Sequence, residues 1–256
     1  MATDPGIVAR LRAAGCVFAE DEARLLASAA RDEAELAALV DRRVAGLPLE
    51  HVLGWAEFCG LRIAVDPGVF VPRRRTEFLI ALAAGLTPPG GVAIDLCCGS
   101  GAMGVALAAA VHLHELHATD IDPVAVRCAR RNLAAAGGQV YQGDLYEPLP
   151  PGLRGRADIV IANVPYVPTR EVALLPAEAR LHEAGVALDG GADGLEILRR
   201  AAAGAPDWLG PGGHLLIETS DRQAPAAVAA LAGPGLNPRL ASSDELAATV
   251  VIGVKV

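Results

Sequence analysis

Asn163-Val164-Pro165-Tyr166 gathers two hydrogen-bond acceptors, a rigid turn and an aromatic face into four residues. The Asn163 side chain supplies one carbonyl oxygen and the Val164 peptide a second. Together they can hold both hydrogens of a substrate –NH2 group. Pro165 fixes φ and stiffens the turn. Tyr166 offers a flat face and a hydroxyl to a planar group. An amide nitrogen is a poor nucleophile because its lone pair is delocalised into the carbonyl. Acceptors at its hydrogens turn that lone pair toward an electrophile and stabilise the positive charge that develops on nitrogen. The rest is in-line orientation. No strong base is needed before attack, since the alkylated nitrogen sheds its proton easily.

A second cluster is the loop Asp95-Leu96-Cys97-Cys98-Gly99-Ser100-Gly101-Ala102-Met103-Gly104. Glycines let the backbone turn sharply and approach a ligand, and a following helix offers unpaired N–H groups at its start. Residues 99–104 spell G-x-G-x-x-G, and Asp120 follows about 20 residues on, where an acid can bind ribose hydroxyls. Charge separates two cofactors. A dinucleotide would set its anionic pyrophosphate on this loop, facing Asp95. Two like charges at about 4–5 Å repel by roughly 3–4 kcal/mol at an effective dielectric near 20. S-adenosylmethionine (SAM) instead brings an ammonium and a sulfonium, which Asp95 favours directly or through water.

These residues must sit at strand ends. Strands are expected at Val92–Asp95, Leu116–Asp120, Gln139–Gln142, Asp158–Ala162 and His214–Glu218. Between and beyond them, helices are expected at Ala102–Val111, Pro123–Ala136, Leu195–Ala203 and Ala224–Leu231. Such alternation implies a mostly parallel sheet covered on both faces. Leu236–Leu240 and Thr249–Val254 read as a closing antiparallel pair. Upstream, residues 1–50 read as helical, and Phe58, Leu61, Ile63 and Val65 as a short hairpin around Cys59-Gly60. Thr76 reads as the N-cap of a helix through Gly85.

Of 256 residues, 52% are hydrophobic but only 4% aromatic, so the core must be built from Ala, Val, Leu and Ile. No apolar run reaches the ~18 residues of a membrane span, and the first residues lack a secretory pattern. Five cysteines, two of them adjacent, suit reduced thiols, so a cytoplasmic location is expected. The net charge of −8 argues against a nucleic-acid-binding face. Arg73-Arg74-Arg75 reads as a solvated turn. His112, His114 and His117 lack the spacing of a zinc helix and read as a solvated helix end, so no metal is expected. Cys16 and Cys128 read as buried positions within helices. His182 and Glu183 could line the substrate cleft or a loop surface.

Read this way, the chain is a SAM-dependent methyltransferase acting on a planar amide or amino nitrogen. Three other readings stay open on the residues: an adenine-N6 or small-molecule amino methyltransferase, an NAD(P)-dependent oxidoreductase, and a binding module without turnover.

From about Leu47 onward the chain resembles the HemK/PrmC-type protein-(glutamine-N5) methyltransferases. The resemblance rests on Pro72-Arg73 with Thr76-Glu77, Asp95-Leu96 with Gly99 and Gly101, and Asp120 with Asp122. It continues through Asp144, Asn163 with Pro165-Tyr166, Gly190-Gly191 with Asp193-Gly194-Leu195, Glu218 and Gln223. It implies a Rossmann-like fold, a seven-stranded mostly parallel sheet with an antiparallel C-terminal hairpin, beside a small N-terminal helical domain. Residues 1–50 would then recognise substrate, 51–72 connect, and 73–256 bind SAM and release S-adenosylhomocysteine. The resemblance puts Cys97, Cys98, Gly99, Ser100 and Gly101 against SAM, with Asp144 and Asn163 also among its contacts, Asp120 on its ribose, Leu145 beside the adenine, and Phe70 on the adenosyl side. Asn163 to Tyr166 would take the amide of a protein glutamine, in a Gly-Gly-Gln loop of a peptide chain release factor. The chain departs from the pattern at Cys97 (for glycine), Val164 (for proline), Arg74 and Arg75 (for a proline and an acid) and Ala184 (for proline), and its helical region before Pro72 is shorter. The carbonyl of Val164 survives its substitution.

Overall fold

The computed structural model describes residues 4–256. Four helices come first: α1 (Pro5–Ala13), α2 (Ala19–Ala29), α3 (Glu33–Val44) and α4 (Leu49–Leu53). Asp4 and Asp32 start α1 and α3 by accepting the Gly6 and Glu35 amides, which the first turn of a helix leaves unpaired. Leu11, Ala23, Leu26, Val40 and Val52 bury together in a core of their own. Cys16 joins this core from the turn after α1, not from within a helix.

The hairpin follows as β1 (Trp55–Phe58) and β2 (Leu61–Ala64), with Phe58 opposite Leu61 across Cys59-Gly60. Then come α5 (Glu77–Leu86), β3 (Gly91–Leu96), α6 (Ala102–Ala110), β4 (Leu113–Asp120), α7 (Pro123–Leu133), β5 (Gln139–Gln142) and β6 (Ala157–Ala162). The chain ends with α8 (Thr169–Val172), α9 (Ala177–His182), α10 (Glu196–Trp208), β7 (Leu209–Thr219), α11 (Ala224–Ala232), β8 (Leu236–Ser243) and β9 (Ala248–Lys255).

Seven strands make one sheet in the order β5-β4-β3-β6-β7-β9-β8. β3 to β7 run parallel, while β9 is antiparallel to both β7 and β8. Side chains alternate between the faces of a strand. Val92, Ile94 and Leu96 of β3 join Val160 and Ala162 of β6 in a core with Leu198, Ala202 and Ala205 of α10. Ala93, Ile159 and Ile161 join the opposite core with residues of α5, α6 and α7. Each fully buried Leu or Ile contributes roughly 1.5–3 kcal/mol. Burial on both faces is why these strands read as continuous apolar runs.

The winding runs outward from β3 through β4 to β5, and from β6 to β7 the other way, so it reverses between β3 and β6. Ligands of open α/β sheets sit outside the carboxyl ends of the strands at such a reversal. Leu96 pairs with Ala162 there, so Cys97 and Asn163 emerge side by side.

Two local expectations are corrected. Thr76 does hold the N-cap position of α5, but without the expected cap bond: it closes a 3-10 turn (Arg74–Thr76), its backbone is already helical at φ −68°, and its side chain bonds no helix amide. His112 does lie exposed just past the end of α6, but His114 and His117 sit within β4. His117 is buried between Tyr141 Oη at 3.2 Å and Glu115 Oε2 at 3.0 Å. Among the described residues no helix is long and apolar enough to cross a membrane.

Candidate active site

A cleft of about 530 Å³ opens at the β3/β6 reversal, within the size range of small-molecule sites. Cys97, Cys98, Gly99 and Ser100 line it from the loop after β3, and Asp120 from the end of β4. Asn163, Val164, Pro165 and Tyr166 line it from the end of β6, and Phe70 from the linker after the hairpin.

The loop owes its shape to three left-handed residues, Cys97 at φ +53°, Gly99 at +54° and Gly101 at +78°. A Cβ on Gly101 would meet Leu133 Cδ1 at 3.1 Å and Ala129 Cβ at 3.2 Å, so only glycine lets α7 pack this closely. Cys97 carries a Cβ in a conformation that costs L-residues roughly 1–2 kcal/mol, which is why glycine suits that place. Burial pushes the Cys97 and Cys98 thiols far above their ordinary range. Both are neutral wall material.

Asp95 stands behind the loop, not in the cleft wall. Alternation along β3 sends it, with Ala93, to the face covered by α6. It is fully buried, its Oδ2 accepts the Gly104 amide at 2.9 Å in the first turn of α6, and its Oδ1 has no partner. Burial, with a smaller push from Asp120, raises its pKa from 3.8 to about 8. The structure therefore gives Asp95 a capping role at the start of α6.

Asp120 does face the cleft. Its Oδ2 accepts the Gly99 amide at 2.8 Å and its Oδ1 the Asp122 amide at 2.9 Å, which ties the end of β4 to the loop. Each oxygen keeps a lone pair for another donor. Burial raises its pKa, against the pull of those amides.

Asn163 is half-buried, with Nδ2 3.3 Å from Thr76 Oγ1; that contact leaves the amide oxygen as its open end. Tyr166 Oη accepts a hydrogen bond from Arg75 Nη2. Arg75 Nε in turn donates to Oε1 of Glu218, buried near the end of β7, at 2.8 Å. Arg73 likewise pairs at 2.5 Å with buried Glu183, itself part of the cleft wall. The arginine run is thus a turn with Arg74 and Arg75 exposed, as expected, but not merely a solvated one: Arg73 and Arg75 neutralise buried carboxylates.

The Gly190–Leu195 segment lies on the backbone of the Asn163–Tyr166 turn. A Cβ on Gly194 would fall 2.2 Å from Tyr166 O, and one on Gly190 2.6 Å from Pro165 O. Gln223 Nε2 donates to Tyr166 O at 3.0 Å and to Asp193 O at 3.1 Å. These residues form a clasp that holds the tetrapeptide in place.

Asp144, Leu145 and Gly101 are outside the cleft walls. Asp144 pairs with Arg200 at 2.5 Å, and the Leu145 side chain is buried in the sheet core, its backbone at φ +47°. Phe70 packs under Arg73, whose guanidinium carbon is 4.8 Å from the ring centroid. Among the described residues no group of three or more His, Cys, Asp or Glu is placed to hold a metal ion.

The sheet order, with β9 antiparallel between β7 and β8, is that of the Rossmann-like methyltransferase fold. Residues 60–194 match the family described as methyltransferase small domain. A release factor glutamine methyltransferase of Geobacter sulfurreducens is 35% identical over 227 residues, 87% of this chain and 79% of that protein. One of Streptomyces coelicolor is 38% identical over 189 residues, 72% of this chain and 67% of that protein. A methyltransferase structure from Pyrococcus furiosus superposes with a TM-score of 0.58 at 20% identity, over 77% of this chain and 89% of that one. The chain belongs to the family of the release factor glutamine methyltransferases. Its cofactor is SAM, and the dinucleotide reading of residues 99–104 is set aside.

Proposed function

We propose that the chain methylates the side-chain amide nitrogen of a glutamine in a peptide chain release factor. The observation that carries this reading is the placement of Asn163. It leaves β6 beside the cofactor loop, its amide nitrogen faces Thr76, and its oxygen is open. The names of the relatives support the substrate.

SAM, when bound, supplies an electrophilic methyl group on a sulfonium. The residues present fit it: a neutral loop with left-handed backbone can approach closely, and Asp120 has spare lone pairs for ribose hydroxyls. Phe70 stands on the adenosyl side. The side chain of Leu145 is committed to the core and Asp144 to Arg200, so neither side chain is free for the adenine.

Asn163 Oδ1 and Val164 O then accept from the two hydrogens of the glutamine –NH2, and the Tyr166 ring packs on the planar amide. Both acceptors gain strength as nitrogen becomes positive. The N–C bond would form as the methyl–sulfur bond breaks, leaving S-adenosylhomocysteine, and the methylated nitrogen would then lose one N–H proton to water. Residues 1–50 are the surface that grips the protein substrate, 51–72 connect, and 73–256 are the methyltransferase domain.

The test is incubation with methyl-labelled SAM and bacterial release factors, followed by mass spectrometry of the Gly-Gly-Gln peptide. A single methyl on the glutamine side chain is expected. Absence of label from every release factor, alongside clear SAM binding, would move the acceptor elsewhere, and label in DNA or RNA would favour the adenine reading.

A further inference from the structure

We infer that Arg75 and Thr76 form a two-residue clamp that sets the orientation of both ends of the Asn163–Tyr166 turn. The two are neighbours in one 3-10 turn, 87 and 91 residues before the side chains they touch. Thr76 Oγ1 meets Asn163 Nδ2 at 3.3 Å, and Arg75 Nη2 donates to Tyr166 Oη. Thr76 itself is buried.

The clamp matters because a primary amide can point either of two groups at a ligand. Only the oxygen can accept from a substrate –NH2; the –NH2 of Asn163 would repel it. A hydroxyl can donate or accept; in this structure Thr76 Oγ1 stands against the amide nitrogen at 3.3 Å, which leaves the oxygen for the cleft. Without that hydroxyl the two orientations lose this distinction. The phenol is set by a parallel logic. Arginine has donors and no acceptor, so Tyr166 Oη must accept on that side, and the Arg75 guanidinium carbon also stands 5.8 Å from the ring centroid, which together fix the ring.

The clamp is anchored. Glu218 is buried, accepts Arg75 Nε at 2.8 Å on Oε1, and has no partner on Oε2. A buried carboxylate needs its counter-charge, so the Arg75 guanidinium is fixed where Tyr166 meets it. Arg75 and Thr76 are positioning residues, since they act through Tyr166 and Asn163.

This inference rests on Asn163 being the acceptor for the substrate amide. The test compares Thr76→Val, Thr76→Ser, Arg75→Met and Arg75→Lys in the full chain. Turnover is measured on a release factor, with SAM affinity by calorimetry and the thermal midpoint. Thr76→Val and Arg75→Met are expected to lower kcat about tenfold or more, with KM and SAM affinity little changed. Thr76→Ser and Arg75→Lys are expected to restore most of the loss. Wild-type kcat in Thr76→Val and Arg75→Met would overturn the clamp, and so would a loss in Thr76→Val that Thr76→Ser shares. If Arg75→Met unfolds, the pair Arg75→Met with Glu218→Met removes both charges; low kcat there supports the clamp and wild-type kcat overturns it. Asn163→Ala is run beside them. Turnover surviving in that variant would remove the acceptor reading itself, whereas an inactive Asn163→Ala beside a fully active Thr76→Val would remove only the clamp.

Discussion

Asp95 and Gly104 are joined by a 2.9 Å hydrogen bond that runs beneath the cofactor loop, from the end of β3 to the first turn of α6. The bond caps the helix, and it holds a carboxyl where water cannot reach it. The price is a pKa raised from 3.8 to about 8.

That shift has a sign. The folded protein holds the Asp95 proton more tightly than the unfolded chain does. The contribution of this group to stability is therefore fully present below about pH 4 and is lost as pH rises toward about 8. Asp95→Asn keeps an oxygen for Gly104 and has no proton to lose. Its stability relative to wild type should increase steadily across that window in urea unfolding at a series of pH values. A difference that does not change with pH would mean that Asp95 ionises without cost.

Gly194→Ala should damage stability and turnover together. The added Cβ would lie 2.2 Å from Tyr166 O and 2.5 Å from Gln223 Nε2, at a backbone φ of +76°. Overpacking and left-handed strain each cost about 1–3 kcal/mol. Urea midpoints and turnover of the variant measure both effects. SAM affinity should suffer less, because the clasp holds the substrate side of the cleft.

Cys97→Gly should be tolerated or stabilising. Relief of a left-handed Cβ returns roughly 1–2 kcal/mol, and glycine's extra unfolded-state entropy takes back about 0.5–1. A thermal midpoint at or above wild type is expected, with SAM affinity retained. A clear loss of stability would assign the cysteine a packing role that outweighs its strain.

Much of this site is legible in the sequence because its parts are local. Loop, acid and tetrapeptide each follow a strand within a few residues, and strand ends meet at one edge of a parallel sheet. What escapes is the partner across the chain. Arg75 reads as solvated because Glu218, which makes its charge necessary, lies 143 residues away. Thr76 before a helical run has the local form of a cap, yet the 3-10 turn gives it helical backbone and frees its hydroxyl for Asn163. Asp95 reads in the sequence as a partner of the cofactor, but the phase of β3 makes it a cap: Ile94 and Leu96 face one core, Ala93 and Asp95 the side under α6. Leu145 shows the limit of a resemblance, which locates a residue near a ligand without saying which of its atoms faces it.

Substitution of Asn163 by alanine tests the central claim most directly, with turnover and SAM binding measured on the same preparation. Loss of methyl transfer to a release factor with SAM affinity within about tenfold of wild type, or roughly 1.4 kcal/mol, is the predicted result. Undiminished methyl transfer from the alanine variant would contradict the account, because no other side chain of the turn offers the amide its acceptor.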